Sequence, residues 1–108
     1  MKYGHINFVN LIGEVCRGPH CYQDSSGKTV IRLYLETKEA KLNSKGHLTF
    51  NKNRHVLSAW GKWKQVIEEY IDVGTPIAIE GRLQSRWYHR QGTLQFYSEI
   101  EINDLTIL

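Results

Sequence analysis

Apolar side chains recur at every second residue along most of this chain, and once, past its midpoint, at the three-four spacing of a helix. Residues 5–15 are apolar on both parities, with Ile6, Phe8 and Ile12 on one and Val9, Leu11 and Val15 on the other. A strand covered on both sides, or curled through a barrel, has this pattern. Gly13 within it predicts a bulge or a sharp bend. Residues 16–28, rich in Gly, Pro, Ser and Asp, read as a loop. Residues 28–37 alternate cleanly, Ile31, Leu33 and Leu35 against Arg32, Tyr34 and Glu36. Residues 38–47 read as a polar, lysine-bearing loop and 48–60 as a third strand. Trp63, Val66, Ile67, Tyr70 and Ile71 then form one helical stripe, and Trp63 is expected in the core. Gly74 and Pro76 end that helix. The fourth strand runs from Pro76 to about His89, and a Gln91-Gly92 turn leads to the last, residues 94–107.

The order β-β-β-α-β-β is that of a five-stranded Greek-key OB barrel: all-β with one helix, between strands 3 and 4. Another single-domain α+β arrangement shares the order. At 108 residues the chain fits one domain, 1–108. Its 41% apolar and 23% charged residues are ordinary for a globular protein. No run of about 18 apolar residues is present, so no membrane span is expected. The N-terminal MKYGHINFVN lacks a secretory pattern, and two cysteines make no disulfide framework. A reduced, cytoplasmic protein is the expectation.

The net charge of +3 decides little, but its distribution is uneven. Residues 38–54 carry five basic side chains and one acid, and residues 82–90 carry three arginines and no acid. In an extended fourth strand, Arg82, Gln84, Arg86, Tyr88 and Arg90 share one face. Guanidinium groups suit phosphates, and an interleaved ring offers a platform for an unpaired base, of DNA or RNA alike. Tyr34, beside Arg32, is a second platform. Trp60 ends a strand before Gly61-Lys62, so core and ligand face are both open to it. Trp87 has the parity of Leu83, which favours burial, but a bulge at Gly81 or a twisted hairpin would overturn that.

Catalysis finds no positive signal. The CRGPHC stretch at Cys16–Cys21 lacks further ligands at metal spacing, so its cysteines read as incidental loop residues. Glu99 and Glu101 share a strand face, but a two-metal nuclease needs more convergent acids, and outward strand carboxylates are the expectation. No phosphate-loop, HExxH or GxSxG pattern occurs. No cofactor and no metal are expected.

The stretches INFVNLIGEV and HVLSAWGKWKQVIEEYIDVGTPIAIEGRL resemble the opening strand and the strand–helix–strand run of bacterial single-stranded DNA-binding proteins. The weight falls on LIG at 11–13, WGK at 60–62, EY at 69–70 and IEGRL at 79–83. The resemblance implies an OB fold, assembled as a homotetramer or a dimer. Such proteins coat single-stranded DNA with little sequence preference during replication, recombination or repair. Stacking is then expected at Trp60, Tyr88, Tyr34 and Trp87. Phosphate contacts are expected at Lys41, Lys45, Lys52, Arg54, Lys62, Arg82, Arg86 and Arg90. His55 matches a histidine associated with subunit contact. Lys41 and Arg54 stand where the family often has stacking tryptophans, which shifts binding toward phosphates and toward salt sensitivity. The given sequence reaches Leu108 without the family's Gly/Gln/Pro-rich linker and acidic tip, so the expectation is either a truncated sequence or no partner recruitment by that route. That ending suggests an alternative, the dimeric adaptors that resemble primosomal replication protein N and act through protein contacts.

Overall fold

The structure is a computed structural model and describes residues 4–108; residues 1–3 of the expected 1–108 domain lie outside the described residues. Its elements are β1 (Val9–Gln23), β2 (Thr29–Leu42), β3 (Leu48–Trp60), α1 (Trp63–Tyr70), β4 (Pro76–Arg90) and β5 (Thr93–Ile107). The strands close into one barrel in the order β1-β2-β3-β5-β4. All neighbours are antiparallel except β3 and β5. This is the OB barrel the element order predicts.

Closure depends on β1 pairing twice. Its first part, from Val9 to Glu14, pairs with β4, and its later part, from Glu14 onward, pairs with β2. Gly13 sits at the handover. A Cβ there would run into the backbone carbonyl of Glu36, so only glycine lets the strands approach this closely. Gly81 plays the same part against the carbonyl of Glu101, beside the register shift that separates Glu80 from Gly81. Beyond Val9, Asn7 extends the seam with its side chain. Its amide donates to the Leu83 carbonyl and accepts from the Leu83 N–H, both at 2.8 Å.

The alternating apolar positions of β2 and β4 meet inside. Leu33, Leu35, Leu57, Ile67 and Ile77 are fully buried. α1 closes one end of the barrel through Ile67 and Ile71. Trp63, expected in the core, is half-buried and packs against the core cluster from its edge. It opens the helix at the barrel rim, where the Lys62 ammonium lies 5.1 Å from its ring centre. Tyr70, on the same stripe, is exposed.

Three local readings are corrected. Residues 16–23 continue β1 rather than looping. Gly18 and Pro19 are taken up where the ladder shifts register, with Gly18 at φ 87° and the Gly18–Pro19 peptide cis. The loop is confined to residues 24–28, gathered by the Asp24 carboxylate, which accepts from the backbone N–H groups of Ser26 and Lys28. The lysine-bearing loop is likewise shorter. β2 runs to Leu42, and the hairpin pairs down to Leu42 opposite Leu48. This arm leaves the barrel and has solvent on both faces, so it shows no apolar alternation. The β4–β5 hairpin overshoots in the same way. Leu83 and Trp87 hold core parity, yet they are 45% and 67% exposed because the barrel has ended beneath them. Trp87 packs instead on Phe96, ring centres 4.8 Å apart.

Candidate nucleic-acid interface

One cross-strand row organises the outer face. Arg32 of β2 pairs with Ser58 of β3, Ser58 with Glu101 of β5, and Glu101 with Arg82 of β4. Paired residues point to the same side of a sheet, so this row forms a floor. Tyr22 of β1 and the 24–28 loop wall it at one side, and β4 and β5 rise at the other. The result is an open groove of about 510 Å³ lined by Tyr22, Lys28, Arg32, Trp60, Arg86, Tyr97 and the two glutamates among others.

The floor is densely connected. Arg32 Nη2 donates to the Tyr22 hydroxyl at 3.0 Å, the Tyr97 hydroxyl at 3.2 Å and Glu99 Oε2 at 3.3 Å. The guanidinium carbon lies 4.9 Å from the Tyr22 ring centre and 5.9 Å from that of Tyr97. Its Nε is buried with no acceptor among the described residues. Burial opposes the Arg32 charge, but Tyr22, Tyr97 and Glu99 outweigh it and raise its pKa above the usual range. Burial also pushes the Tyr97 phenol up, helped by Glu99, and pushes the Tyr22 phenol up against the pull of Arg32. Glu99, expected to point into water, is 5% exposed, because Arg32 and the base of the β4 wall cover it. Trp60 is 43% exposed, and the Lys28 ammonium sits over its ring.

The groove gathers three of the expected residues: Trp60, Arg82 and Arg86. Lys62 lies on the adjoining rim with Trp60 and Trp63. Tyr88 continues the face, its ring edge-on to Tyr97 with centres 6.0 Å apart, and Arg90 lies at the far end of the same hairpin. Tyr34 follows Arg32 on β2, with the Arg17 guanidinium 5.5 Å from its ring centre. Lys41, Lys45 and Lys52 lie on the β2–β3 arm, away from the groove. Arg54 is 3.7 Å from Glu36, at the foot of that arm. Trp87 alternates to the opposite face of its hairpin from Arg86 and Tyr88. His55 is half-buried, its Nε2 2.9 Å from the Thr37 hydroxyl.

The alternation pattern did not single out Tyr22, Lys28, Tyr97 or Phe50. Phe50, exposed opposite Ala40, shares a face of the arm with the Lys38–Lys52 pair. The signal for Tyr97 was present, since it shares parity with Glu99 and Glu101; that for Tyr22 was hidden by the apparent loop. Cys21, likewise misread as a loop residue, lies on β1 and donates its thiol proton to Glu68 Oε1 of α1 at 3.2 Å. No cluster of three or more potential metal ligands occurs among the described residues.

A closed five-stranded barrel with its helix between β3 and β4, carrying arginines and aromatic rings across one outer face, defines an OB-fold protein. The chain belongs to the Single-strand binding protein family, whose profile matches residues 6–108. It is 32% identical over 105 residues to "Single-stranded DNA-binding protein 1" of Chlorobaculum tepidum, covering 95% of this chain and 65% of that one. It is 31% identical to the single-stranded DNA-binding protein of Rickettsia felis, covering 94% and 68%. The barrel superposes on a Plasmodium falciparum SSB solved in complex with ssDNA, with a TM-score of 0.86 at 24% identity over 100% of this chain and 99% of that one. A deletion mutant of the Thermus aquaticus single-stranded DNA binding protein gives 0.81 at 21% identity, over 95% of this chain and 50% of that one. These superpositions establish the fold.

Proposed function

We propose that this chain binds single-stranded DNA, without catalysis and largely without sequence preference, and so protects unpaired strands in replication, recombination or repair. The observation that carries this reading is the groove itself. Trp60, Tyr22 and Tyr97 stand among four cations on one face of a family barrel. Rings on that face accept bases, which a duplex keeps stacked inside, and cations along the path meet the backbone. Trp60 and Tyr88 are the principal platforms, with Tyr34 on the flank and Trp87 on the far side of the hairpin. Lys41, Lys45, Lys52, Arg54, Lys62, Arg82, Arg86 and Arg90 provide cations along the path. One such barrel covers about 4–16 nucleotides. Family membership supports self-association as a homotetramer, with His55 near a subunit contact, in the cytoplasm.

Titrating labelled oligo-dT, with duplex DNA in parallel at low and high salt, tests the reading. The expected result is a strong single-strand preference and affinity that falls with salt. Equal affinity for duplex would overturn it. Sedimentation of the free protein tests the assembly: a tetramer agrees with the proposal, and a dimer favours an adaptor role.

A further inference from the structure

The groove floor is not simply basic. Among its lining residues are the cations Lys28, Arg32, Arg82 and Arg86 and the carboxylates Asp24, Glu99 and Glu101. The three arginines of the floor share its two glutamates. Glu99 lies 3.3 Å from Arg32 through Oε2 and 3.9 Å from Arg86 through Oε1. Glu101 accepts from Arg82 at 3.5 Å through Oε1 and from the Gln84 amide at 3.2 Å through Oε2. By contrast, Lys28 of the groove wall and Lys41, Lys45, Lys52, Lys62 and Arg90 beyond the floor have no carboxylate within 4.0 Å among the described residues.

A phosphate entering the floor would meet two carboxylates at contact range, one of them, Glu99, buried. A base would not. It is uncharged, its faces suit Trp60 and the tyrosines, and its edge carries both donors and acceptors, which alternating carboxylates and guanidinium groups can satisfy. We propose that Glu99 and Glu101 are specificity determinants. They close the floor to phosphate and reserve it for exposed bases, which makes Arg82 and Arg86 contacts to base edges rather than to phosphates, and the backbone follows the unpaired cations of the rim and arm. Polyanions whose bases are absent or locked away in a duplex are thereby rejected. This inference rests on the single-strand reading of the same groove and adds the residues that enforce it.

The test uses the full chain and three probes of equal length: oligo-dT, an abasic deoxyribose-phosphate strand, and duplex DNA. Glu101→Gln is the primary variant, since its side chain is 17% exposed and its loss does not empty the interior. Glu99→Gln is the second, checked for folding by thermal melting. Glu80→Gln, on the exposed barrel side away from the groove, removes the same charge as a control. The expected result is that Glu101→Gln tightens binding to the abasic strand and duplex by about fivefold or more. On the abasic strand its salt slope steepens by about 0.7 for each phosphate gained. The preference for oligo-dT over the abasic strand narrows, while Glu80→Gln leaves it unchanged. An unaltered preference and slope in Glu101→Gln would overturn the inference, as would a parallel change on all three probes. If the unaltered protein shows no preference for oligo-dT, the single-strand reading itself fails. If it shows the preference and the variant keeps it, only the role of the carboxylates fails.

Discussion

The guanidinium of Arg32 lies 3.3 Å from the carboxylate of Glu99, across 67 residues of chain and between two strands, β2 and β5, that do not pair with each other. β3 passes between them and offers Ser58, whose small side chain leaves the space above it open. The ion pair therefore spans the middle strand. It joins the two sides of the groove.

Replacing Arg32 with Ala leaves Glu99 buried beside Arg86 alone, 3.9 Å away. Removing one partner of a buried pair costs more than the pair contributes, because the remaining charge stays desolvated. Arg32 is partly exposed, so the expected loss is about 1–3 kcal/mol. Denaturant unfolding checks it. Adding Glu99→Gln to Arg32→Ala should restore part of the loss; a double variant no more stable than Arg32→Ala would show that Glu99 is adequately solvated there.

Trp60→Ala removes a half-exposed ring and is expected to leave the melting temperature nearly unchanged. Affinity for oligo-dT should fall by about 1–3 kcal/mol, the worth of one stacked base. A binding isotherm identical to that of the unaltered protein, in a folded variant, would take Trp60 off the DNA path.

The β2–β3 arm is where phosphate contacts should register. Lys52→Ala is expected to lower the slope of log affinity against log salt by about 0.7, the value for one phosphate on a single strand. Phe50→Ala, on the same face, should weaken long strands more than short ones, since the arm lies beyond the groove. Equal effects on short and long oligonucleotides would detach Phe50 from the path.

Alkaline pH offers a test of the buried phenols. Burial and Glu99 hold Tyr97 above its ordinary 10.0, and burial also raises Tyr22. A raised pKa in the folded protein means that the neutral phenol binds its proton more tightly folded than unfolded. The stability it contributes is therefore complete below pH 10 and is lost as pH rises through the folded value. Thermal midpoints should drop above about pH 10, and Tyr97→Phe should flatten the drop. A Tyr97→Phe profile parallel to the original between about pH 9 and 12 would assign the alkaline loss to other groups.

Gly81→Ala tests the close approach at the β4–β5 crossing. The added Cβ meets the Glu101 carbonyl and the Ile100 side chain, and neither backbone can yield without shifting the ladder. The expected cost is about 1–3 kcal/mol in unfolding free energy. Because Glu101 stands in the groove floor, DNA affinity should fall with it. A fully stable Gly81→Ala protein would show that the crossing can relax.

Periodicity is a local property, and this chain's local properties were informative. Alternation at Ile31, Leu33 and Leu35, the stripe through Ile67 and Ile71, and the stops at Gly74 and Pro76 determined the element types and their order. The shared face of Arg82, Arg86 and Tyr88 was legible for the same reason: side chains on one strand alternate whatever surrounds it. Burial was not legible in the same way. It depends on where the barrel stops, and nothing in the parity of Trp87 records that β4 has already left the core. Gly18 and Pro19 looked like a break because a register shift that absorbs them exists only against a partner strand.

The groove belongs wholly to the tertiary structure. Arg32, Ser58, Glu101 and Arg82 come from four strands, and they form a row only because β5 inserts between β3 and β4. That same insertion carries Glu99 to Arg32 and turns an outward carboxylate into a buried one. The sequence by itself therefore determined which elements form and which residues could carry the chemistry. Strand order and closure, which depend on contacts between distant segments, decided which of those residues meet.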